Sequence, residues 1–153
     1  MSLLAGIDHV AVLTSDLEAF CAFYEDVLGA KRESGMEEDG LRMVVLRVAP
    51  QSELNVFQVE GNTESTRQVP MFGRGRLDHF AFRAASLEAF DQIRDRLIQR
   101  GCTDGFVTDF GHVLSVFFRD PEGLEAEVCV TNPDAVPGVA NPPGTPSRRY
   151  HPE

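Results

Sequence analysis

Ile7-Asp8-His9-Val10-Ala11-Val12 returns as Leu77-Asp78-His79-Phe80-Ala81-Phe82, an offset of 79 − 9 = 70 residues. The offset holds further on, where Leu17-Glu18-Ala19-Phe20 returns as Leu87-Glu88-Ala89-Phe90. Between Ile7–Phe20 and Leu77–Phe90, seven of fourteen positions are identical. Such self-similarity marks two copies of one supersecondary unit. Ile7–Leu13 alternates and is rich in β-branched residues, which predicts a strand. Ser15 followed by Glu18 reads as a capping box opening a helix. Leu17, Phe20, Cys21, Tyr24, Val27 and Leu28 give that helix one apolar stripe, and Gly29 stands where a left-handed cap belongs. Lys31–Glu37, the Asp39-Gly40 turn, Leu41–Val48 and Leu54–Glu60 then predict three further strands.

The second copy keeps this order. Leu77–Arg83 predicts a strand, and Ser86 precedes a helix with Leu87, Phe90, Ile93, Leu97 and Ile98 inward and Gly101 at its end. Strands follow at Phe106–Phe110, Val113–Phe118 and Leu124–Val130, the last after the turn Asp120-Pro121-Glu122-Gly123. Each copy is therefore a βαβββ unit, and the fold class is α+β. The organisation expected is a lead at residues 1–6, modules at 7–60 and 77–130, a polar linker at 61–76 and a proline-rich tail at 131–153. That tail holds six of the nine prolines and lacks apolar periodicity, so it is expected to lie extended or disordered.

The chain has 153 residues with 14 Lys+Arg against 24 Asp+Glu, and 42% of its residues are hydrophobic. This is the composition of a globular protein large enough to bury a core. A net charge of −10 repels phosphate backbones and anionic lipid, which argues against nucleic-acid and membrane-surface partners. No apolar run reaches the roughly 20 residues of a spanning helix, and the N-terminus does not read as a signal peptide. Cys21, Cys102 and Cys129 lack paired spacing, so reduced thiols and a cytoplasmic location are expected.

Duplication places equivalent residues at matched positions. His9 corresponds to His79, and aligning Leu54-Asn55-Val56 with Ala126-Glu127-Val128 makes Asn55 the counterpart of Glu127. If the modules pair about a pseudo-twofold axis, these four converge. Two imidazoles and a carboxylate are a transition-metal ligand set, with Asn55 a weaker donor through its amide oxygen. His112, before the closing hairpin, is a candidate acid–base group, and Cys129 should share the face of Glu127. Arg47, Arg74, Arg76 and Arg119 are candidate anion holders, although isolated arginines are usually solvated.

Asp8-His9-Val10-Ala11-Val12, Phe23-Tyr24-Glu25-Asp26-Val27-Leu28-Gly29, Asp78-His79-Phe80-Ala81-Phe82 and Ser115 through Glu127 together resemble the vicinal oxygen chelate superfamily, which includes glyoxalase, bleomycin-resistance and dioxygenase proteins. The resemblance runs from Ile7 to Val130. It implies two tandem βαβββ modules forming a cupped mixed sheet around a divalent metal (Fe, Mn, Ni, Co or Zn), usually in a homodimer. The family's ligand positions fall on His9, Asn55, His79 and Glu127. Asn55 departs from the Glu or Gln usual there, which weakens a strict glyoxalase assignment and brings the set nearer a two-His-one-carboxylate centre. The resemblance thus implies a lyase or isomerase acting on a small oxo compound, with Glu127 both ligand and proton carrier. A ring-cleaving Fe(II) dioxygenase is the alternative, and a non-catalytic ligand-binding protein the third.

Overall fold

The computed structural model describes residues 3, 6–67, 69, 72–74, 76–139 and 150. Two compact units divide between Gln68 and Val69, inside the segment expected to link the modules. The first contains β1 (His9–Leu13), α1 (Leu17–Leu28), β2 (Lys31–Glu38), β3 (Leu41–Ala49) and β4 (Ser52–Val59). The second contains β5 (Phe80–Arg83), α2 (Leu87–Gln99), β6 (Val107–Asp109), β7 (Val113–Arg119) and β8 (Glu125–Thr131). Each is a four-stranded mixed sheet, ordered β1-β4-β3-β2 and β5-β8-β7-β6, with the first strand parallel to the last and the other pairings antiparallel. The tandem βαβββ reading therefore holds, strand by strand.

In the first unit α1 packs on β3 and β4. Its buried stripe of Leu17, Phe20, Cys21, Phe23, Tyr24 and Val27 meets Leu46, Leu54 and Val56. Tyr24 lies against both Phe20 and Phe23, with ring centroids 4.7 and 5.2 Å away. Strand alternation then turns Glu53, Asn55 and Phe57 to the opposite face of β4. In the second unit Phe90 and Leu97 of α2 are buried with Val116, Phe118, Ala126, Val128 and Val130. The same alternation turns Ser115 and Phe117 of β7, and Glu127 and Cys129 of β8, away from that helix.

The Asp39-Gly40 turn joins β2 to β3 with φ of 46° and 81°, the two positive values a two-residue primed turn needs. Gly29 closes α1 at φ 71° and donates its N–H to the Glu25 carbonyl at 3.1 Å.

Two local expectations are corrected. The cap of α1 is Asp16, not Ser15: the Asp16 carboxylate accepts the Ala19 N–H at 3.0 Å. Ser86 accepts the Ala89 N–H at the repeat-equivalent position, as expected for α2. Leu87 and Ile98 are exposed rather than inward, because α2 buries only a narrow stripe through Phe90 and Leu97. The described part of the tail runs to residue 139, with Tyr150 beyond it. The extended or disordered tail expected there otherwise falls at 140–149 and 151–153, outside the described residues.

Candidate metal-binding half-sites

Register settles which residues of the two copies correspond. Ala11 on β1 lies opposite Asn55 on β4, and Ala81 on β5 lies opposite Glu127 on β8. His9 and His79 each stand two residues before that alanine. Asn55 and Glu127 are thus true structural counterparts, each one step diagonally from its histidine.

The histidines share a second feature. His9 Nδ1 lies 3.0 Å from Asp8 Oδ2, and His79 Nδ1 lies 3.0 Å from Asp78 Oδ2. With the proton held on Nδ1 toward the carboxylate, Nε2 keeps its lone pair for a ligand. Asp8 is 90% exposed, whereas Asp78 is 21% exposed and also accepts the Phe72 N–H through Oδ1 at 2.7 Å. The second half-site is the more firmly held.

His79 Nε2 lies 3.6 Å from Glu127 Oε2, too long for a hydrogen bond. Donors sharing one transition-metal ion at about 2.0–2.2 Å lie roughly 3–3.5 Å apart, so this separation suits a shared ion. Phe117 stands opposite Glu127 and meets the His79 ring edge to face at 6.0 Å, with Phe110 against Phe117 at 6.5 Å. In the first half-site Asn55 Oδ1 is buried and receives no hydrogen bond. A buried acceptor without a donor is costly, and a cation would satisfy it. Among the described residues no three His, Cys, Asp or Glu side chains gather at one point.

His112 is exposed in the turn before β7, five residues and about 15 Å of extended chain from Phe117. Cys129 shares the face of Glu127, but burial, and next the Glu127 charge, push its thiol pKa up and suppress the thiolate. Arg47 binds Glu33 and Glu53, the latter at 2.6 Å. Arg74 and Arg119 both bind Glu125 Oε2 at 2.9 Å, so these three arginines are engaged by carboxylates. Arg76 is exposed. Sequence reasoning missed the roles of Asp8, Asp78 and Glu125. The Asp-His pair stands in both copies, and Arg47…Glu53 recurs as Arg119…Glu125 at an offset of 72. Those repeats were the available clue.

Residues 6–128 match the family model described as the Glyoxalase/Bleomycin resistance protein/Dioxygenase superfamily, and the chain belongs to that superfamily. A glyoxylase/bleomycin resistance protein/dioxygenase domain from Frankia sp. EAN1pec superposes with a TM-score of 0.73 at 21% identity, over 84% of this chain and 99% of that one. Lactoylglutathione lyase from Agrobacterium tumefaciens gives 0.60 at 20% identity, over 84% and 96%. A fosfomycin resistance protein from Listeria monocytogenes gives 0.63 at 16% identity, over 87% and 98%. At these identities the structures share the fold. No curated protein sequence matches the chain.

Proposed function

We propose that the chain is a divalent-metal-dependent enzyme, glyoxalase-like in chemistry, carrying out a lyase or isomerase step on a small oxo compound. His79 with Glu127, and His9 with Asn55, are the metal-ligand candidates in this reading, and a homodimer is the expected assembly. The observation that carries it is the repeated Asp–His pair, which directs Nδ1 toward a neighbouring carboxylate in both copies. A bound divalent ion supplies Lewis acidity to two neighbouring substrate oxygens. Glu127, beside His79 Nε2, takes and returns the substrate proton. Asp8 and Asp78 fix the imidazole tautomers, while Phe117 and Phe110 form an apolar wall that limits water. His112 has no part in this scheme. A similar fold in a lactoylglutathione lyase supports the class of reaction without naming the substrate.

One feature favours a second reading. Asn55 is a weak neutral donor, so the strong donor set reduces to two imidazoles and one carboxylate, which suits Fe(II) and ring cleavage with O₂. Metal analysis of untagged protein separates the two. Bound Ni, Co, Mn or Zn with no O₂ uptake supports the lyase or isomerase. Stoichiometric Fe(II) with O₂ consumption on catechols supports the dioxygenase, and failure to retain or take up any divalent metal overturns both.

Asn55→Leu tests the first half-site. Removing a buried acceptor that receives no hydrogen bond should leave stability within about 1 kcal/mol of wild type. Affinity for Co(II) should nevertheless fall, read by visible absorption titration. A marked loss of stability with unchanged Co(II) affinity would assign Asn55 a packing role instead.

A further inference from the structure

Glu125 is 0% exposed on β8, two residues before Glu127 and on the same face. Arg119 reaches it from the facing position on β7, and its Nη1 donates to the Gly123 carbonyl at 3.0 Å. Arg74 reaches it from the segment leading into β5 and is itself 10% exposed. The rest of the Arg74 fork binds that segment: Nε donates to the Val69 carbonyl at 2.6 Å and Nη1 to the Asp78 carbonyl at 2.9 Å. Asp78 in turn accepts the Phe72 N–H and holds His79 Nδ1. One carboxylate therefore ties together β7, β8 and the chain that delivers His79. Among the described residues of the first unit, Glu53 takes Arg47 at the matching ladder position, and in the sequence the residue 70 positions before Arg74 is the uncharged Leu4.

We propose that Arg74 is a positioning residue, a clasp whose guanidinium joins the Val69 and Asp78 carbonyls to Glu125 and fixes the His79 imidazole beside Glu127. The inference rests on the metal-dependent reading above. Its physical basis is the planar fork: a single arginine spans a carboxylate and two backbone carbonyls, and a lysine ammonium lacks that reach in three fixed directions. By this device the second half-site is organised before an ion arrives.

The test compares wild type, Arg74→Lys and Arg74→Gln, with Arg83→Ala as a control on the exposed end of β5. Folding is checked by far-ultraviolet circular dichroism. Arg74→Lys keeps a cation against Glu125 and should fold. Its Co(II) affinity should nevertheless drop about ten- to hundredfold, the range seen for partners that orient metal ligands. The Co(II) d–d bands should also change shape, and the Phe72 amide should exchange at least about tenfold faster. Wild-type affinity and spectrum in a folded Arg74→Lys protein would overturn the clasp. So would weakened binding with the Phe72 amide still fully protected. If wild type takes up no Co(II), the metal reading itself fails. The Phe72 exchange rate still reports whether the clasp exists, which keeps the two failures distinguishable.

Discussion

His79→Ala is expected to abolish tight divalent-metal uptake, with affinity falling by more than about a hundredfold. Outer partners of metal ligands already cost about 10–100-fold when removed, and a direct donor must exceed that. His79 sits in the better-held half-site: its Nδ1 is fixed by Asp78, its ring lies against Phe117, and its Nε2 faces Glu127. Stability should change little, because the ring is a third exposed and fills no part of the helix-facing core. His112→Ala provides the contrast. Its side chain is exposed about 15 Å of chain from the site-facing Phe117, so metal affinity and turnover should stay within about twofold of wild type. Equal losses in the two variants, measured by Co(II) titration, would remove the basis for placing the chemistry at the histidine–carboxylate pair.

Glu125→Ala is expected to be the most destabilising single change in the second unit. It strands Arg74 and Arg119, which are 10% and 17% exposed, without their shared carboxylate. Breaking a buried ion pair from one side costs about 3–5 kcal/mol, because the remaining charge stays desolvated and unpaired. Urea unfolding should show the loss as a lower midpoint at an unchanged slope. Replacing all three groups with apolar residues of similar size should recover most of it. A loss under about 1 kcal/mol for Glu125→Ala would mean that water reaches the arginines and that the cluster does not tie the sheet together.

Much of this architecture was legible in the chain because duplication states it twice. The strand and helix order, the left-handed Gly29 cap and the Asp39-Gly40 turn each follow from local chemistry that tertiary packing leaves undisturbed. Ser15 misled because a serine three residues before a glutamate satisfies the capping pattern. The repeat offset of 70 maps Ser86 onto Asp16 and would have corrected it. Leu87 and Ile98 misled because periodicity identifies an apolar face without its width, which depends on how closely the helix meets its sheet. Arg74 was illegible for a different reason. It stands in a segment without periodicity, and its partner Glu125 lies 51 residues away. Only the folded backbone brings that pair together. The correspondence of Asn55 with Glu127 was legible from alignment, whereas the unsatisfied Asn55 oxygen could emerge only from packing.

The outer strands β2 and β6 show what duplication demands of a chain that must not pair with itself wrongly. A duplicated sheet carries open edges in each copy, and an exposed edge invites a foreign strand. The copies have met this hazard by different means. In β2, eight residues long and exposed throughout, the sequence Lys31-Arg32-Glu33-Ser34-Gly35-Met36-Glu37-Glu38 sets charges along the rim. In β6 the strand is cut to three residues, leaving little for an intruder to template on. At β2 and β6 the two copies thus present unlike rims, one lined with charge and the other too short to template a foreign strand.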